Sequence, residues 1–135
     1  MLPIRTIAIL FLAVLTACTG MKVQERVSRL ETAIQSYGGA IRWARYTDAY
    51  AYHKGKDGFR PPLQLEDYEG IRVTGYQIQE RTLAADQMEA TVVAKISFYD
   101  DRTGVVTDIK HIQNWWFREE DKQWLVDAAF PDFSE

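Results

Sequence analysis

Two histidines, His53 and His111, and one cysteine, Cys18, are the only imidazole and thiol groups in this chain. His111 lies in a run that alternates in character. Val105, Thr107, Ile109, His111, Gln113, Trp115 and Phe117 share one parity, and Val106, Asp108, Lys110, Ile112, Asn114, Trp116 and Arg118 share the other. A strand places alternate residues on opposite faces. The first set is the more apolar, so it is expected to face the core. A polar pair, His111 and Gln113, amid aromatics is how an orienting group in a ligand pocket looks. Tyr46, Tyr50 and His53 could approach it from a helical segment, with Trp115 alongside. The competing reading makes His111 a structural residue whose nitrogens are satisfied by neighbours. No Asp or Glu shares the inward parity, since Asp108 falls on the other, so no acid–base dyad is expected and no catalytic residue is assigned. Two histidines and one cysteine make no zinc set. A phosphate loop and a nucleophile elbow are absent. The acidic turns Asp100-Asp101 and Glu119-Glu120-Asp121 lack calcium-loop spacing. The expectation is a protein without a cofactor or a metal.

Cys18 has its own setting. Arg5 is the only charged side chain before it, and every residue from Ile7 to Leu15 is apolar. Nine helical residues span roughly 14 Å, under half of a hydrocarbon core of about 30 Å. A basic start followed by a short apolar run is the form of a secretion signal. Leu15-Thr16-Ala17-Cys18 resembles the lipobox of bacterial lipoproteins: an aliphatic residue, two small residues, then cysteine. The resemblance implies a diacylglyceryl group on the Cys18 thiol, cleavage before Cys18 and acylation of the new amino terminus. Two or more acyl chains hold a protein stably at a bilayer. It also implies the outer membrane, periplasmic side, because Thr19 stands where an aspartate would favour the inner membrane. The expected organisation is a signal peptide over 1–17, a lipidated tether over 18–22 and one domain over 23–135. Without a second cysteine no internal disulfide can form. Loss of Arg5 leaves 15 basic against 19 acidic residues, a net charge of about −4. That balance argues against a nucleic-acid partner, which would favour a basic patch.

The elements that must position these groups follow from periodicity. Val23, Val27, Leu30, Ile34, Tyr37, Ile41 and Ala44 recur at intervals of four and three, one face of a helix. Gly38-Gly39 predicts either a kink or close packing of another element. Trp43, Tyr46, Tyr50 and His53 lie on a different stripe, so a new helix is expected near Thr47, capped by Thr47 or Asp48. Lys54 to Pro62 reads as a loop, and Leu65 to Glu69 as one turn stopped by Gly70. From Ile71 the period becomes two. A bulge near Gly75 would bring Ile71, Val73, Tyr76 and Ile78 onto one face. Met88 to Phe98, Val105 to Arg118 and Gln123 to Asp127 read as further strands. Helices first and a strand meander afterwards indicate α+β, with helices on one face of an antiparallel sheet of about four strands.

The closing stretch WWFREEDKQWLVDAAFPDF, and IRWARYTDAYAY at 41–52, are similar to the nuclear transport factor 2-like superfamily. The resemblance covers Val23 to Phe130. It implies helices packed in the concave face of a strongly curved sheet, forming a cone. That superfamily includes isomerases, dehydratases, transport factors and assembly subunits, so fold alone does not select an activity.

The leading expectation is a non-enzymatic, membrane-anchored periplasmic binding or assembly module. Its bilayer contact is the acylated Cys18. Ile112 and Trp116, on the outer sheet face, are the candidate interface with a second copy or an envelope protein. The alternative is a small-molecule binder, or an enzyme of isomerase or dehydratase type, with a pocket near His111. A third reading has the N-terminal helix form a coiled coil with a partner. A cone interior filled by aromatics would count against the pocket, and an open cavity walled by His111 would count for it.

Overall fold

The computed structural model describes the backbone of residues 4–134 and the side chains of residues 20–134. Four strands form one antiparallel sheet in the order β1 (Ile71–Leu83), β2 (Glu89–Asp100), β3 (Val106–Arg118) and β4 (Gln123–Val126). One face is covered by the long helix α1 (Ile4–Arg42), the short α2 (Tyr46–Tyr50) and the C-terminal segment 127–134. The chain is therefore α+β with helices on one side of a curved sheet. Among the described residues no helix is long and apolar enough to cross a membrane.

The buried face of α1 is the predicted one: Leu30, Ile34, Tyr37 and Ile41 are all at most 2 % exposed. Gly38 is the point of closest approach to the sheet. A Cβ there would lie 2.6 Å from Cε1 of Tyr76, so only glycine lets the ring sit against the helix. The helix continues past the glycine pair to Arg42. It then ends in a Schellman motif: Arg45 N–H donates to Ala40 O at 2.8 Å, Ala44 N–H donates to Ile41 O at 3.2 Å, and Ala44 takes the left-handed φ of 57°. The Arg42 guanidinium also donates to Val73 O at 2.6 Å, tying the helix end to β1.

Two expectations about α2 are corrected. It begins at Tyr46, with Arg45 at the N-cap and no side-chain cap, so Thr47 and Asp48 lie inside it. Trp43 does not belong to its buried stripe. It is 69 % exposed at the end of α1, with the Arg42 guanidinium 4.6 Å from its ring centroid. The predicted single turn forms as a 3₁₀ helix over Leu65–Tyr68, and Gly70 follows with φ 80°.

The sheet's register contains the bulge expected near Gly75, between Val73 and Gly75, and a second between Ile78 and Glu80. The first turns Tyr76 onto the same inner face as Ile71 and Val73. The second brings Arg81 to the inner side, where it pairs with Glu31 of α1. Bulges add twist and bend a strand. β4 stops at Val126, one residue short of the expected Asp127. On its outer edge Val126 N–H donates to Tyr52 O at 2.8 Å and Val126 O accepts from Lys54 N–H at 3.0 Å, so residues 52–54 extend the sheet. Gly20 to Lys22, assigned above to a tether, are helical and exposed. Leu15, Thr16, Ala17 and Cys18 lie outside the residues whose side chains are described.

Candidate functional site

The inward parity of β3 is as read from the alternation. His111, Gln113 and Trp115 are buried, while Ile109 and Phe117 pack against the core. Val105, at the strand's open end, is 64 % exposed. The polar groups in this interior form two hydrogen-bonded groups, one joining α1 to His53 and the C-terminal segment, the other joining β3 to β1 and the same segment, and the two are packed ring against ring.

Its geometry sets the tautomers. Ala128 O can only accept, so His53 donates from Nδ1 to it at 2.8 Å. Nε2 of the neutral ring then accepts from the Tyr37 hydroxyl at 2.8 Å. Likewise Ala129 O accepts from His111 Nε2 at 3.0 Å. His111 Nδ1 accepts from Gln113 Nε2 at 3.3 Å. The same amide nitrogen donates to the Tyr76 hydroxyl at 2.7 Å, and its oxygen accepts from Trp115 Nε1 at 3.0 Å. Burial lowers the His53 pKa to about 4, against the smaller upward pull of the Ala128 hydrogen bond; His111 and Arg60 add to the lowering. His111 is lowered chiefly by burial as well. Both rings are therefore neutral at pH 7, and both nitrogens of each are engaged.

The C-terminal segment closes the interior. The Phe130 ring lies 5.1 Å from His53, between centroids, and Phe133 lies 4.8 Å from Phe98. The Tyr68 hydroxyl donates to Pro131 O at 3.1 Å. Such an arrangement leaves no free imidazole lone pair for a base and no free ring N–H for an acid.

The expected pocket residues thus divide. His111, Gln113 and Trp115 meet in one bonded group, and His53 lies beside it with its ring centroid 6.4 Å from that of His111. Tyr46 and Tyr50 do not join that group. The first packs on Tyr68, Phe130 and Phe133, and its hydroxyl has no partner among the described residues. The second donates to Pro61 O at 2.6 Å beneath the Arg60 guanidinium. Together they surround a filled interior rather than an open cavity. Two large clefts lie elsewhere. One of about 670 Å³ runs between α1, α2 and β4, lined by Ser28, Thr32, Arg45 and Lys122. Another of about 1150 Å³ opens beside the 3₁₀ turn and the C-terminal segment, lined by Tyr68, Asp100, Arg102 and Asp132. Neither touches His53, His111 or Gln113.

Sequence reasoning missed Tyr37, Tyr76 and the two alanine carbonyls. Tyr37 stood in the apolar stripe and Tyr76 at the bulge, both visible as buried positions. Nothing in a sequence marks which backbone carbonyl will receive an imidazole N–H. On the outer face Ile112 is 53 % exposed. Trp116 is half covered, because the loop after α2 crosses it and Lys54 O accepts from its Nε1 at 2.7 Å. Among the described residues no group of His, Cys, Asp and Glu could hold a metal ion. The chain matches no family model, no curated protein and no solved structure.

Proposed function

We propose that this chain is a membrane-anchored lipoprotein of the bacterial periplasm, tethered at the outer membrane through acylated Cys18. Its domain, of the nuclear transport factor 2-like kind, serves as a binding or assembly module rather than a catalyst. The observation that carries the non-catalytic part is the full engagement of both imidazoles. The only two imidazoles are neutral, buried and bonded at both nitrogens, two of the four bonds running to backbone carbonyls of the chain's own C-terminal segment. The tether rests on Leu15-Thr16-Ala17-Cys18 behind its apolar run.

The test of the tether is metabolic labelling of cells with an alkyne fatty acid. The full chain is expected to carry label and to fractionate with outer membranes, and Cys18→Ser to carry none. An unlabelled parent chain overturns the anchor.

A further inference from the structure

β3 has an edge that no described strand pairs with over most of its length. It pairs with β2 along Val106–Trp116, but with β4 only along Trp115–Arg118. Asp127 N–H closes the next position by donating to Asn114 O at 2.8 Å. Backbone direction alternates along a strand. Phe117 N–H points to the β2 side, to Met88 O at 2.9 Å, while Asn114 O points away from it. Val106, Asp108, Lys110 and Ile112 share Asn114's parity, so their N–H and C=O groups point outward along the bare edge. No backbone partner meets them among the described residues. Val106 and Ile112 are 61 % and 53 % exposed. Lys110 has no ion pair among the described residues, and Asp108 accepts only from the Ser97 hydroxyl, at 2.6 Å. An uncovered edge with apolar side chains is a template for another strand.

We infer that this edge pairs, antiparallel and about a twofold axis at Ile109, with the same edge of a second copy of the chain. The side chains select both the occupant and the register. Centred on Ile109, each Asp108 lies opposite Lys110 of the other copy, and each Val106 opposite Ile112. The outward backbone groups of 106, 108, 110 and 112 then form hydrogen-bonded pairs. A twofold centred on residue 108 sets Asp108 against itself, and one centred on 110 sets Lys110 against itself. Like charges directly opposite destabilise a ladder, whereas opposite charges support it. The paired stretch ends at Ile112, where Asp127 begins to cover the edge. From residue 106 to residue 112, six steps of about 3.4 Å make a ladder of roughly 20 Å, the length of an ordinary strand. The pairing joins two four-stranded sheets into one of eight strands and needs no lipid, so its failure and that of the membrane anchor are separable.

The experiment uses the full chain in detergent with Val106→Cys and Ile112→Cys combined. These positions lie opposite one another across the proposed twofold, while the same two positions within one copy are roughly 20 Å apart, far beyond the reach of a disulfide. Mild oxidation is expected to convert the double variant to a covalent dimer. The parent chain and each single variant, which also control for Cys18, are expected to stay monomeric on a denaturing gel. By sedimentation velocity Lys110→Asp is expected to halve the protein mass, and Asp108→Lys combined with Lys110→Asp to restore it. A double-cysteine variant that stays monomeric, or single variants that cross-link equally well, overturns the inference. So does a charge reversal with no effect on mass.

Discussion

The two faces of β3 are built from alternate residues of one strand, yet they are chemically opposite. On the inner face His111, Gln113 and Trp115 are buried, and each polar atom has a partner, either within β3 or on β1 and the C-terminal segment. On the outer face Asp108, Lys110 and Ile112 stand exposed, and among the described residues no backbone group pairs with their edge of the strand. The difference separates two uses of polarity. Inside, the imidazole, amide and indole groups of β3 and His53 are hydrogen-bonded within the chain, so they specify one packing. Outside, Ile112 is 53 % exposed and Lys110 has no ion pair among the described residues, and the pairing inferred above draws on these groups.

The comparison breaks most severely at Trp115, which is 1 % exposed. Trp115→Ala should cost about 3–5 kcal/mol in urea unfolding, from cavity formation and the stranded Gln113 oxygen. Ile112→Ser, three residues away on the other face, should stay within about 0.5 kcal/mol when both are compared in the Lys110→Asp background, which keeps the chain monomeric. Equal losses would mean that the outer face is also packed.

Acid is the next largest perturbation. Burial holds the His53 pKa at about 4 in the folded chain, below its ordinary value of 6.5. Its native contribution is therefore complete above pH 6.5 and is lost as pH falls through 4. At 1.36 kcal/mol per unit this is about 3 kcal/mol, and His111, lowered in the same way, adds to it. Protonation also turns His53 Nε2 into a donor facing the Tyr37 hydroxyl. Urea midpoints measured from pH 7 to 4 should fall steeply below 6.5, and a His53→Gln variant should show a flatter profile. A wild-type midpoint independent of pH would show that the rings do not stay neutral.

Gly38→Ala sharpens the comparison with the smallest change. The added methyl would meet the Tyr76 ring at 2.6 Å and push it from the Gln113 amide. A loss of about 1–3 kcal/mol is expected, the usual cost of overpacking. Ala at Gly39, where the nearest atom is the end of the Arg45 side chain at 3.9 Å, should be tolerated.

Much of the fold was legible in the residues. The four-three spacing of Leu30, Ile34, Tyr37 and Ile41 marked the buried side of α1, and strict alternation marked the inner face of β2 and β3. Periodicity reports burial directly, because a helix or strand presents residues to the core at a fixed angle. It also named His53, His111, Gln113 and Trp115, since polar residues at core parity must find partners. It failed at ends and crossings. Nothing in the local pattern put Trp43 in solvent, started α2 at Tyr46, or laid Lys54 across Trp116.

The sequence alone determined the buried stripe of α1 and the inner parity of β2 and β3, because each depends on neighbours a few residues away, though not the exposure of Trp43 or Val105 at element ends. Only the tertiary structure decided that the interior is closed. The deciding bonds join His53 to Ala128 and His111 to Ala129, separations of 75 and 18 residues. Their acceptors are carbonyls, which every residue carries alike. No side-chain pattern distinguishes one from another until the chain has folded and brought it within reach.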